Sequence, residues 1–413
     1  MDNLINQLKK IEQDYRAGNS QMPDRMWDEL MATLPPDTAG INAATQGFTM
    51  DSGVKGRVSV PLLTPAGSLS KVNSITRAKK QFERLLKLGV PISLSFKYDG
   101  AAMIQRFKLV KVINSNGKHG NTGIYNHQFD LTRGDGITGK LVHPSAFDKS
   151  EFNRIPMVSV DWQMFDGLVD DWPEEIEIRG ELYSPDSNIN RSVAAGVLNR
   201  KFSNGSDGEI DSHLDFAVYA FAFGDYIVRD VHRITEYVKS QKQYHTVEMI
   251  SVTSVTALED LIRWYTKAED DKGYIVNGVP IMIQRPIDGL VISTNLFNCK
   301  TGRTTGFYAW DAYAIKLMYG CYRTKVISLG THTTENGNTT MNCKIDPITT
   351  KDGRKIRNLN LHNPLWYERV AKSWLYPGAE IYVTGDVIPI PVDPAEVDAS
   401  RLTATNSINN NNK

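Results

Sequence analysis

Hydrophobic residues recur at helical spacing at the start of the chain. Leu4, Leu8, Ile11 and Tyr15 form one stripe, which Gly18-Asn19-Ser20 breaks. Pro23-Asp24 opens a second stripe, with Trp27, Leu30, Met31 and Leu34 on one face, and Pro35-Pro36 closes it. Residues 35–58 carry little periodicity and read as a linker. A longer helix is expected from Ser74 to Leu88, with Ile75, Ala78, Phe82, Leu85 and Leu86 as its buried stripe and Gly89 as its cap.

Beyond that helix the period falls to two. Strands are expected at Ile92–Phe96, Lys108–Asn114, Ile176–Tyr183, Phe216–Phe223, Ile281–Ile283 and Leu290–Thr294, separated by turn-rich stretches. From Tyr322 to Val392 short strands alternate with polar turns, the pattern of a small β-barrel. The asparagine-rich end, 396–413, reads as a disordered tail. The fold class is α+β: a helical segment at 1–55, an α+β domain with antiparallel sheets at 56–320, and a β-barrel at 321–395.

Composition narrows the class. Lys plus Arg and Asp plus Glu each number 47 of 413 residues, so bulk positive charge is not a means of binding nucleic acid, although a local basic channel remains open. Cys299, Cys321 and Cys343 lack the C-x-x-C spacing of a structural zinc site and read as free thiols of a reducing compartment. There is no apolar run long enough for a membrane span, and Met1-Asp2-Asn3 does not open a signal peptide. A cytoplasmic multi-domain protein without zinc or membrane attachment is the expectation.

Candidate chemistry sits at strand ends. Alternation puts Lys97 on one face with Ser95 and Ser93, just before the Asp99-Gly100 turn. A lysine there is either a strand-end surface residue or, with neighbours that favour its neutral form, a nucleophile. In Ile176-Glu177-Ile178-Arg179-Gly180-Glu181, the residues Glu177, Arg179 and Glu181 share a face that is either solvated or the wall of a polar pocket. Arg133 lies beside Gly134 and Gly136, either in a plain loop turn or where backbone approaches a ligand. Asp288-Gly289 reads as the turn into a buried strand, and Lys316 as a lone charge in another, expensive unless paired.

Taken in order, these segments resemble the nucleotidyltransferase motifs of DNA ligases, the NAD-dependent branch in particular. Lys97-Tyr98-Asp99-Gly100 resembles the adenylated-lysine motif, and Thr132-Arg133-Gly134-Asp135-Gly136 a stretch typical of the NAD-dependent enzymes. Glu177–Glu181, Arg191–Gly196, Asp288–Ile292 and Lys316 are similar to further motifs of the catalytic core. Leu361-His362-Asn363 and Gly385–Pro389 are similar to signatures of the family's OB-fold.

The resemblance implies a lysyl-AMP mechanism with NAD and Mg²⁺ as cofactors and nicked duplex DNA as the substrate. Lys97, Asp99 and Lys316 are then catalytic, and Ser68, Leu69, Ser95, Arg133, Glu181 and Lys316 bind the nucleotide. Glu181 is the candidate for Mg²⁺, and Glu177 shares its implied role toward ribose or metal. Tyr15, Asp24, Trp27 and Asp28 fall where the family holds the nicotinamide mononucleotide (NMN) half of NAD. Arg191, Arg200, His362 and Asn363 take DNA.

The sequence departs from the family pattern in places. Ser95 stands where the family has a glutamate that contacts adenine, Ser293 where it has a lysine, and Lys140 where it has a glutamate. Lys140, Lys300 and Arg303 are candidates to replace the cation absent at 293. The family's zinc finger, helix-hairpin-helix and BRCT domains have no counterpart here. This suggests a phage- or virus-like enzyme, or one subunit of a split ligase. The competing expectations are an ATP-dependent DNA or RNA ligase, and a nick-binding subunit with impaired catalysis.

Overall fold

The computed structural model describes residues 26, 29–30, 58–72, 75–114, 121–134, 136–142, 155–184, 194, 196, 198, 214–240, 244–270, 274–276, 279–281, 287–299, 308–315, 321–333, 339–350, 353–384 and 388–397. The chain divides into two units, one of 45–70 with 81–314 and one of 1–44, 71–80 and 315–413.

From Ser59 to Ile315 the strands are β1 (Ser59–Pro61), β2 (Ser68–Val72), β3 (Ile92–Tyr98), β4 (Ala101–Asn114), β5 (Asn121–Thr132), β6 (Thr138–Lys140), β7 (Met157–Asp161), β8 (Glu175–Tyr183), β9 (Asp215–Phe223), β10 (Tyr226–Val228), β11 (Val238–Ser240), β12 (His245–Thr246), β13 (Met249–Ser251), β14 (Tyr274–Val276), β15 (Val279–Ile281), β16 (Ile287–Thr294), β17 (Leu296–Asn298) and β18 (Tyr308–Ile315). The helices α1 (Ile75–Leu86), α2 (Val231–Tyr237) and α3 (Val255–Asp270) interrupt them. The architecture is mostly antiparallel sheet with few helices.

The larger sheet has nine strands, ordered β11-β7-β5-β4-β8-β9-β10-β17 with β12 beside β9. One face packs Met103, Phe107, Ile176, Ile178, Leu182, Phe216, Phe221 and Phe223 into a core with Phe165 and Ile234. The smaller sheet is ordered β13-β3-β16-β18-β2. β1 pairs with β6 in a two-stranded sheet, Ser59 opposite Lys140.

The expected strand at Lys108–Asn114 is the distal half of the fourteen-residue β4. Its partner β5, Asn-Thr-Gly-Ile-Tyr-Asn-His-Gln-Phe-Asp-Leu-Thr, carries little apolar alternation and was not expected as a strand. It forms because it is flanked on both sides, by β4 and by β7.

In the second unit, β19 (Cys321–Thr333), β20 (Thr339–Thr349), β21 (Lys355–Asn360), β22 (Glu380–Thr384) and β23 (Pro391–Val392) form a sheet ordered β21-β20-β19-β22-β23. Met26 and Leu30 are fully buried in one core with Val326, Cys343, Leu359, Trp366 and Ile381. The Trp366 indole N–H donates to Glu29 Oε2 at 3.1 Å. Leu30 matches the expected stripe, Met26 adds to it, and Trp27, Met31 and Leu34 lie outside the described residues. No helix among the described residues is long and apolar enough to cross a membrane.

Candidate functional site

Lys97 occupies the last turn of the pleat in β3, half-buried, on the face it shares with Ser93 and Ser95. Register carries that face across the sheet. Ser293 lies opposite Ser93, and Val291 opposite Ser95. The Asp288-Gly289 pair proves to be no entry turn: β16 begins at Ile287, and the pairing shifts between Ile287 opposite Tyr98 and Leu290 opposite Phe96. Two residues therefore face Lys97 alone, which is a β-bulge, and Gly289 sits there at φ +112°, where a side chain would be strained.

The turn after Lys97 runs along the larger sheet. A side chain at Gly100 would stand 2.2 Å from the Leu182 carbonyl oxygen and 3.0 Å from Glu181 Cγ. Only glycine lets the lysine-bearing strand approach β8 so closely. Glu181 and Asp99 are both half-buried. The Tyr98 ring packs against that of Tyr183, tilted by 54° with centroids 4.8 Å apart, which ties β3 to β8 behind Lys97, and its hydroxyl donates to Glu248 at 2.6 Å.

On the larger sheet, the polar face of β8 is not solvated. Glu177 is 0 % exposed and Arg179 2 %, so the sheet is buried on both faces. Arg106, directly opposite Glu177, donates to Glu177 Oε1 at 2.6 Å and to Glu175 at 2.9 Å. Arg179 donates to Glu177 Oε2 from Nε at 3.0 Å and from its terminal nitrogen at 2.5 Å. The Leu63 N–H adds a bond to Glu177 Oε1 at 3.0 Å. Both oxygens of Glu177 are thus engaged by cations and backbone, which corrects its expected role toward ribose or metal.

The Arg133 loop closes through Gly136 N–H donating to the Arg133 carbonyl at 3.1 Å. Gly134, at φ +58°, would place a side chain 1.9 Å from the Thr138 carbonyl oxygen. Half-buried Tyr219 senses this neighbourhood. Burial raises its pKa, Glu181 adds to the rise, and Arg179, Arg133 and Arg229 oppose it. Tyr219 is the extra residue of the bulge between the Arg179–Ala220 and Gly180–Val218 pairs, so the bulge aims a tyrosine among these charges.

Arg229 and Asp311 escaped the sequence reading. Asp311, 2 % exposed in β18, accepts from Arg229 Nε at 2.7 Å and from its terminal nitrogen at 3.3 Å. Burial, the largest influence, would alone lower the Arg229 pKa, but the charge and hydrogen bond of Asp311, joined by Tyr219 and Cys299, together outweigh it and the net shift is upward. The signal was an aspartate inside the apolar run before Lys316. Asn295 bridges nearby, accepting from Ser93 Oγ at 2.7 Å and donating to Asp230 at 3.3 Å. Burial, with Asp311 second, pushes the Cys299 thiol up to about 11.

Other expected residues scatter. Leu69 is half-buried in β2, and the side chain of Ser68 lies outside the described residues, as does that of Asp288. Lys140 reaches Ser59 Oγ at 2.8 Å on the two-stranded sheet. In the second unit, Asn363 caps the turn that follows it by accepting from Leu365 N–H at 2.8 Å. His362 adopts φ +52°, its Nε2 has no hydrogen-bond partner among the described residues, and burial lowers its pKa. Tyr15, Asp24, Trp27, Asp28, Arg191, Arg200, Lys300, Arg303 and Lys316 lie outside the described residues. Among the described residues no cluster of three His, Cys, Asp or Glu side chains is arranged to hold a metal ion.

No protein-family model matches the chain. It is similar to a protein named DNA ligase from Xylella fastidiosa, 24 % identical over 416 aligned positions that cover 94 % of this chain and 45 % of the relative. A DNA ligase of Mesomycoplasma hyopneumoniae is 25 % identical over 287 positions, covering 63 % of this chain and 37 % of the relative. The chain spans less than half the length of these relatives. Among solved structures, the ATP-dependent DNA ligase of bacteriophage T7 is similar at a TM-score of 0.29 and 12 % identity, covering 78 % of this chain and 97 % of that one.

Proposed function

We propose that the chain is the adenylating and nick-sealing part of a NAD-dependent DNA ligase. The observation that carries this reading is the Lys97-Tyr98-Asp99-Gly100 turn pressed against Glu181, in a chain that is similar over 94 % of its length to a protein named DNA ligase. The Lys97 amine attacks the α-phosphorus of the nucleotide. An N–P bond forms, the phosphoanhydride bond breaks, NMN leaves with the electron pair, and the lysine loses a proton. AMP then passes to the 5′-phosphate at a nick, and the 3′-hydroxyl displaces it.

The residues suit this work. Arg133, in a loop that glycine lets approach closely, supplies positive charge for a phosphate, and Glu181 supplies a carboxylate for the ribose or Mg²⁺. Lys316 is assigned as the second catalytic cation. The amino-terminal residues Tyr15, Asp24, Trp27 and Asp28 are assigned to NMN, and the five-stranded sheet of the second unit, as an OB-fold, to the DNA backbone.

Incubation of the full chain with NAD or with ATP, each labelled in the adenylate, tests this. The expected result is a mass gain of one AMP from NAD, absent in Lys97→Ala. Labelling by ATP alone would replace the cofactor assignment. No labelling by either would overturn the ligase reading.

A further inference from the structure

The segment 61–66 crosses the charged face of the larger sheet as a strap. Beyond Pro61 it pairs with no strand among the described residues, so its backbone groups need other partners. Side chains of the sheet provide them. Arg106 donates to the Pro61 carbonyl at 2.8 Å, and Arg179 donates to the carbonyls of Thr64 at 2.6 Å and Pro65 at 3.2 Å. Glu177 accepts from Leu63 N–H. The opposite edge of the strap is tied to the Arg133 loop: Leu62 N–H donates to the Ile137 carbonyl at 2.8 Å, and Ala66 N–H to the Gly136 carbonyl at 2.7 Å. Two residues past Ala66 the chain enters β2, whose sheet contains β3 and Lys97.

The strap therefore joins three things: the loop of Arg133, the strand of Glu181, and the sheet that bears Lys97. Its grip is made of buried charge. A buried ionic triad is poor value as mere stabilisation, because well-packed apolar residues of similar volume are often as stable or more so. What apolar residues cannot do is donate to three carbonyl oxygens.

We infer that Arg179 and Arg106 are positioning residues for nucleotide attachment. Through the strap they fix the Arg133 loop and the start of β2 relative to Lys97. Neither guanidinium needs to touch the nucleotide. This rests on the ligase reading above.

Arg179→Lys separates positioning from folding. The lysine keeps the charge opposite Glu177 but lacks the planar fork that reaches Thr64 and Pro65 at the same time. The full-length variant and parent are compared for the rate of AMP attachment against nucleotide concentration, for thermal unfolding, and for nick sealing by protein adenylated beforehand. The expected result is a rise of ~10-fold in KM for the nucleotide, kcat within about threefold, and unchanged sealing. Arg106→Lys, which loses one carbonyl instead of two, should give a smaller rise in the same direction. A parental KM in a folded Arg179→Lys chain overturns the inference alone, and so does a loss confined to kcat. An Arg179→Lys chain that fails to fold makes the network structural and also overturns it. A parent that takes up no AMP overturns the ligase reading, and this inference with it.

Discussion

The two sheets of the larger unit face the candidate site with opposite chemistry. The larger sheet presents Arg106, Glu177 and Arg179, charges so thoroughly paired that they are buried. The smaller presents Ser93, Ser95 and Ser293, short and uncharged, around Lys97. One sheet spends its polar groups on holding backbone in place. The other sets short hydroxyl side chains on the face of Lys97, and Ser93 donates its hydroxyl to Asn295. A buried charge near a site is thus not by itself a sign of ligand contact.

Substitutions can break this contrast. Glu177→Leu leaves Arg106 and Arg179 buried without their shared carboxylate, and should cost about 3–5 kcal/mol of stability, read by chemical denaturation. Asp311→Ala tests the charge pair of the smaller sheet. Arg229 is 14 % exposed and retains some access to water, so a loss of about 2–3 kcal/mol is expected. Ser93→Ala removes one neutral hydrogen bond to Asn295, and about 1 kcal/mol should go with it. If the serine cost as much as the glutamate, the contrast between the two faces would be false.

A further effect concerns pH. The Cys299 thiol is raised from 9.0 to about 11, so the fold favours its protonated form. Its contribution to stability is complete below pH 9 and is lost as pH rises through about 11. Denaturation curves at successive alkaline pH values should show this decline, and Cys299→Ala should flatten it.

How much of this could be read beforehand follows from the range of each interaction. The Lys97 face was legible because alternation is local, and Ile92, Leu94 and Phe96 are buried as the pattern requires. The face of β8 was identified, but its surroundings were not. Whether Glu177 meets water or arginine depends on which strand lies beside it, and Arg106 is 71 residues away. Asp311 and Arg229 are separated by 82 residues, and local periodicity carries no information about such a pair. β5 was missed for the same reason, since its strand character comes from two neighbours and not from its own sequence.

The strap has one more consequence, for how the chain can change over generations. Arg106 and Arg179 hold carbonyl oxygens, which every amino acid possesses. Two of the three belong to Pro61 and Pro65, residues with no N–H of their own to offer. The arginines' grip on 61, 64 and 65 therefore does not depend on side-chain identity, while Leu62 and Leu63 each use a backbone N–H that proline would remove. Mutation is free to alter the strap's exposed surface while the arginines beneath it are not free to vary. Inherited variation should accumulate on one side of this contact and be purged on the other.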